Sequence, residues 1–92
     1  MALRSPMHEL SVALEICRMV EVRLAPGEAH QLRRVAVIVG DDAGLEPANL
    51  SFCLDALLSQ PPFGSARAEL ARCPGNDLSV DYYEVDDGYP DD

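Results

Sequence analysis

The sequence contains no lysine and no tryptophan, and aromatic residues make up only 5% of its 92 positions. All seven cationic side chains are arginine, set against 16 acidic ones, for a formal net charge of -9. A chain so poor in positive charge is repelled by phosphate backbones and anionic lipid, which argues against nucleic-acid and membrane-surface binding. No apolar run approaches the roughly 20 residues needed to span a bilayer. The opening "MALRSPMHEL" also lacks the unbroken apolar core of a signal peptide. The expected location is therefore cytoplasmic. Cysteine is scarce: Cys17, Cys53 and Cys73 are the only three, and no two form a CxxC pair. That argues against a disulfide framework and fits a reducing compartment. Also missing are G-x-S-x-G, a P-loop and G-x-G-x-x-G. With only two histidines besides, no enzyme is expected. Two kinds of partner suit such a composition: a cation, or a protein with a basic patch.

What is present is a 48% hydrophobic content, enough for one small domain with a modest core. Residues 7–24 read as a helix with Leu10, Ala13, Leu14, Cys17 and Val20 on one face. Ser5 and Pro6 supply an N-cap and a first helical residue, and "APGEA" (25–29) ends the helix. "LRRVAVIVG" (32–40) is the clearest strand, with Val35, Val37 and Val39 on one face and Ala36 and Ile38 on the other. Apolar residues on both faces predict a central, well-covered strand. Glu46-Pro47 opens a second helix with an apolar stripe of Leu50, Cys53, Leu54, Leu57 and Leu58. "ARAELAR" (66–72) and "LSVDYYEV" (78–85) alternate as half-buried strands, the latter through Leu78, Val80 and Tyr82. The turn "CPGND" between them predicts a β-hairpin. The expected fold is α+β, in the order helix, strand, helix, strand, strand. Both helices cover one face of a small three-stranded mixed sheet. Residues 1–6 form an N-terminal extension, 7–87 the domain and 88–92 an acidic tail.

Few residues carry candidate chemistry. His8 and Glu9 stand at the start of the first helix. They read either as a solvated terminus, with Glu9 favoured by the helix dipole, or as part of a metal site, since imidazole suits nickel, copper and zinc. His30 reads as a solvated loop residue. Asp41, Asp42 and Glu46 form an acidic loop that does not follow the EF-hand order; Glu46 equally suits the start of the second helix. Cys17 and Cys53 fall on apolar faces and read as core. Cys73 sits in a turn.

Taken together these segments resemble a known family. "MHELSVALEICRMV" looks like the N-terminus of the HypA/HybF hydrogenase nickel-insertion proteins. "RRVAVIVGDDAGLEPANLSFCLDALL", "ARAELARCPG" and "LSVDYYEVD" are similar to the rest of that fold, so the resemblance covers residues 7–87. It implies a metallochaperone that delivers Ni(II) during maturation of [NiFe] hydrogenase. The implied partners are the nickel-maturation GTPase and the hydrogenase large subunit. It further implies that the initiating Met-His-Glu binds Ni(II) through the terminal amine, a backbone amide and the imidazole. Here those residues are Met7 and His8, with Glu9 contributing or tuning and Glu46 matching an assisting acidic residue. The sequence departs from the family in two places. The two CxxC pairs of the family's zinc module are absent, so no zinc is expected, and Cys73-Pro74-Gly75 reads as a remnant. The sequence also starts at Met1. A start at Met7 gives residue 7 the free amine; a start at Met1 leaves an ordinary peptide nitrogen there. The other outcome of these departures is a degenerate docking module that keeps the fold and no longer binds metal.

Overall fold

The computed structural model describes residues 6–86, and the side chains from His8 onward. Residues 1–5 of the expected extension, and the whole acidic tail, lie outside the described residues. The elements follow the expected order: α1 (Pro6–Arg23), a short 3-10 turn (Ala29–Gln31), β1 (Leu32–Gly40), α2 (Pro47–Leu58), β2 (Arg67–Cys73) and β3 (Leu78–Val85). Pro6 is the first residue of α1, where its missing N–H costs no hydrogen bond. Glu46 is the N-cap of α2, with Pro47 as its first residue. One core joins both helices and the sheet: Ala13, Ile16, Cys17 and Val20 of α1, Leu50, Leu54 and Leu58 of α2, and Leu32, Val35, Val37 and Val39 of β1.

The sheet is three-stranded and mixed, in the order β2-β1-β3. The expected β2–β3 hairpin does not form. β1 lies between those strands, parallel to β2 and antiparallel to β3. The reason is compositional. β1 is the only strand with apolar residues at nearly every position, so the centre, where both edges are paired, suits it best. α2 supplies the crossover that a parallel β1/β2 pair requires. Residues 74–77 must then step across the end of β1, a lateral distance of about 10 Å for two strand spacings.

That step sets the chemistry of Gly40. The Gly40 N–H donates to the Asp77 carbonyl (2.6 Å), the Asp41 N–H to Cys73 (2.7 Å) and the Asp42 N–H to Gly75 (2.7 Å). A Cβ at position 40 would lie 2.7 Å from the Asp77 nitrogen and closer still to the Gly75 carbonyl oxygen, which real side chains do not do. Gly40 is therefore required by close approach of backbone, not by its own dihedrals.

Two other expectations need correction. In β3 the alternation predicted Val80 and Tyr82 on one face. Instead Val80, Tyr83 and Val85 are the half-buried positions, and Tyr82 is 43% exposed. The pairing Ala36↔Tyr82 followed by Val37↔Val80 leaves Asp81 as an extra residue, a bulge that reverses the phase of the strand. In α1 the inward face is rotated from the expected one. Leu14 is 50% exposed, whereas Ile16 and Glu9 are buried.

The face of β1 opposite the helices is not covered by any element among the described residues. Ala36 is nonetheless buried and Ile38 half-buried, flanked by Glu69 and Ala71 on β2 and by Tyr82 and Ser79 on β3. Arg34 lies on this face, with ion pairs to Glu69 (3.2 Å) and Glu84 (3.6 Å). Glu69, a hydrogen bond with Tyr82 and Glu84 hold its guanidinium above the ordinary arginine range. These pairs are exposed and add little to stability.

The Gly40→Ala variant should lose roughly 1–3 kcal/mol of stability, the usual cost of overpacking a tight contact. Urea unfolding monitored by circular dichroism measures it. Unchanged stability would show that the 74–77 segment does not bear on β1 as described.

Candidate metal centre

The first turn of α1 and the start of α2 meet through one side chain. Glu9 is only 1% exposed, and its Oε2 accepts the Glu46 backbone N–H at 2.9 Å. The Glu46 carboxylate in turn accepts the Ala48 N–H at 3.3 Å. Two carboxylates thus occupy the amino end of α2, where unpaired N–H groups and the helix dipole favour negative charge. No buried polar side-chain atom among the described residues lacks a hydrogen-bond partner, so the Glu9 carboxylate is compensated.

This arrangement brings two of the expected residues together, in an unexpected way. Glu9 contacts the backbone of Glu46, not its side chain. His8, the neighbouring residue, is exposed on the outer side of the same turn. The backbone of Met7 belongs to α1; its side chain lies outside the described residues. Sequence reasoning read Glu9 as a solvated residue or a ligand. The signal for its burial was available: Glu9, Ala13, Ile16, Cys17 and Val20 follow the i, i+4, i+7, i+8, i+11 spacing of one helical face. A glutamate on that face needs a partner, and only the fold reveals that Glu46 provides it.

The same holds for Asp55, which sequence reasoning did not single out. Its Oδ1 accepts the Ala68 N–H at 2.9 Å, tying α2 to the outer edge of β2. Of the acidic loop, Asp41 pairs with Arg72 at 2.8 Å. His30 is the middle residue of the short 3-10 turn and is exposed, in the connection between α1 and β1. Among the described residues, no three or more His, Cys, Asp or Glu side chains converge in a geometry able to hold a metal ion.

Cys17 is buried, Cys53 and Cys73 half-buried, and all three are free thiols. Burial, and secondarily the Glu21 carboxylate, push the Cys17 thiol up from 9.0 to about 11. It stays protonated, and hence unreactive, through the neutral range.

Residues 7–77 match the family described as "Hydrogenase/urease nickel incorporation, metallochaperone, hypA". The chain belongs to the HypA family. Several curated relatives agree, each named hydrogenase maturation factor HypA. The relative from Chlorobium limicola is 40% identical over 50 residues, covering 54% of this chain and 43% of the relative. That from Chlorobium luteolum is 29% identical over 85 residues, covering 84% of this chain and 73% of the relative. That from Azoarcus sp. is 33% identical over 70 residues, covering 76% and 61% respectively. The aligned part of the chain thus spans less than half of the first HypA relative and about two thirds of the other two. The family match begins at Met7, the residue that opens the Met-His-Glu segment.

Two outcomes follow for this HypA domain. Replacing Glu9 by Ala leaves the Glu46 N–H without its acceptor and should cost roughly 1–3 kcal/mol. Glu9→Gln, which keeps a carbonyl oxygen, should cost less; chemical denaturation of both variants measures the difference, and equal stability of Glu9→Ala and wild type would refute the clamp. For Cys17 the sign is fixed by its raised pKa. The folded thiol keeps its proton where the unfolded one has lost it, so its contribution is complete below pH 9 and is lost as pH rises toward about 11. Urea midpoints followed from pH 8 to 11 should fall more steeply for wild type than for Cys17→Ala.

Proposed function

We propose that this HypA-family domain is a nickel metallochaperone that delivers Ni(II) during maturation of [NiFe] hydrogenase. Nickel is its cargo, and no resident zinc is part of the proposal. The observation that carries the reading is the position of Met7, His8 and Glu9 in the first turn of α1, against the start of α2. The first four N–H groups of a helix have no intrahelical acceptor. A backbone nitrogen of residue 7 or 8 can therefore exchange its proton, released to solvent, for a metal ion without breaking a helical hydrogen bond. Adjacent amide and imidazole nitrogens close small chelate rings, and a tetragonal nitrogen field suits Ni(II).

Within this reading each residue has a distinct part. His8, exposed, offers its imidazole to the metal. Met7 offers its nitrogen, as an amine where the chain begins at that residue. Glu9 fixes the turn through Glu46, so the donors are held to a packed element instead of swinging from a loose terminus. Glu46 places a carboxylate at the same end of the domain. The exposed position lets a receiving protein take the metal without unfolding the core. The receiving and supplying partners proposed are the hydrogenase large subunit and the nickel-maturation GTPase. The acidic composition suits docking to basic patches on either. No catalytic step is assigned to the chain, and the cytoplasm is its proposed location.

Nickel titration of two proteins, one beginning at Met1 and one at Met7, each with its His8→Ala counterpart, tests the proposal. The protein beginning at Met7 should bind nickel more tightly than the one beginning at Met1, and His8→Ala should weaken both. If neither binds nickel better than its His8→Ala counterpart, the domain is a docking module and the metallochaperone reading fails. Mass spectrometry of the native N-terminus identifies which protein the cell makes.

A further inference from the structure

β3 is an edge strand: β1 pairs with one side of it, and no strand among the described residues pairs with the other. Beside that open side runs a groove of about 280 Å³, walled by Met19, Val20 and Arg23 of α1 and by Leu78–Tyr83 of β3. Met19 and Leu78 are 43% and 39% exposed, so apolar surface lies where unpaired backbone is also available. The Tyr83 hydroxyl donates to the Arg23 carbonyl (3.4 Å) and marks the lower end of the groove. Its other end is set by topology. Leu78 pairs with Val39, next to Gly40, and that end of β1 leads into the loop whose Glu46 holds Glu9. On α1, His8, Val12, Glu15, Met19 and Val22 recur at i, i+4, i+7, i+11 and i+14, one strip of the helix. That strip leads from the groove at Met19 toward His8.

Charge selects the occupant. Glu15 on the α1 strip and Asp77 and Asp81 on the β3 side have no ion pair among the described residues, and Arg23 is the one cation in the walls. A second copy joined antiparallel, edge to edge through β3, with Asp81 near the two-fold axis would set Asp77, Asp81 and Glu84 of the two copies against one another, an unfavourable pairing. We infer that the groove between α1 and the open edge of β3 docks an extended segment of a partner protein in which cationic and apolar residues alternate. The backbone of that segment adds to β3, its apolar side chains enter the groove between Met19 and Leu78, and its cations meet Asp77 and Asp81 along the strand edge. The bulge at Asp81 divides the edge, so backbone pairing is short and the side chains carry most of the affinity. The inference goes beyond nickel binding and stands without it.

The test uses the full chain, metal-free and isotopically labelled. The probe is a synthetic peptide of about ten residues, a strand's length or somewhat more, alternating Lys and Val. A peptide of the same composition, with all Lys preceding all Val, is the control. The alternating peptide should shift the amides of residues 19–23 and 78–83 in nuclear magnetic resonance spectra, and the control should not. Met19→Glu and Asp81→Lys, both at exposed positions, should each weaken binding about tenfold with no change in melting temperature. Equal binding of the control peptide, or shifts spread over other acidic surface, would reduce the effect to general charge attraction and overturn the inference. So would concentration-dependent dimerisation abolished by Met19→Glu, which would assign the edge to a second copy.

Discussion

Gly40 is the point on which the domain turns. It ends the central strand, and the backbone of residues 73–77 passes directly over it, held by hydrogen bonds from Gly40, Asp41 and Asp42. Only a residue without a Cβ permits that passage. Because the segment crosses there, β2 and β3 flank β1 on opposite sides, and the sheet has its mixed order. Because Asp41 and Asp42 are fixed by the same hydrogen bonds, the loop that follows is anchored at its start. α2 then begins at a defined place, and Glu46 presents its N–H to Glu9. The position of the α1 terminus, and of His8 on it, thus depends on a backbone contact at the end of the central strand.

The connection between β2 and β3 is four residues, 74–77, and the end of β1 is held by direct hydrogen bonds to that turn. The stability of the α1–α2 contact therefore does not hinge on the cysteines. Cys73 contributes its carbonyl to Asp41, a backbone function that any residue could serve. Cys17 serves as a small buried apolar residue whose thiol keeps its proton.

The acidic side chains divide by what surrounds them. Glu9 and Asp55 are turned toward backbone N–H groups and act as struts between elements. Asp41, Glu69 and Glu84 pair with arginines on the surface. Glu15, Asp77 and Asp81 have no such partner among the described residues, and Asp81 lines the groove between α1 and β3. In a chain without lysine, the arginines paired with Asp41, Glu69 and Glu84, namely Arg34 and Arg72, lie on the sheet, and Arg23 is the cation on the groove flank. That flank leads to the terminus where the metal is proposed to bind, which makes capture of a partner and transfer of cargo spatially compatible.

The sequence by itself determined the elements. Proline at the first turns of α1 and α2, the leucine stripe of α2 and the β-branched run of β1 each act locally, and each appears where its pattern places it. The family resemblance, carried by the Met-His-Glu opening and the Gly-loop-Glu-Pro segment, was legible for the same reason. Only the tertiary structure decided how the strands are ordered. A turn composition such as Cys-Pro-Gly-Asn-Asp fits either a hairpin or a step across a third strand, and competition for the centre of the sheet is settled by burial, not by local propensity. Likewise the bulge at Asp81 is a matter of register between two strands. The role of Glu9 lay between these cases. Its spacing placed it on the buried face of α1, but the N–H that makes its burial tolerable belongs to a residue 37 positions away, and only folding brings the two together.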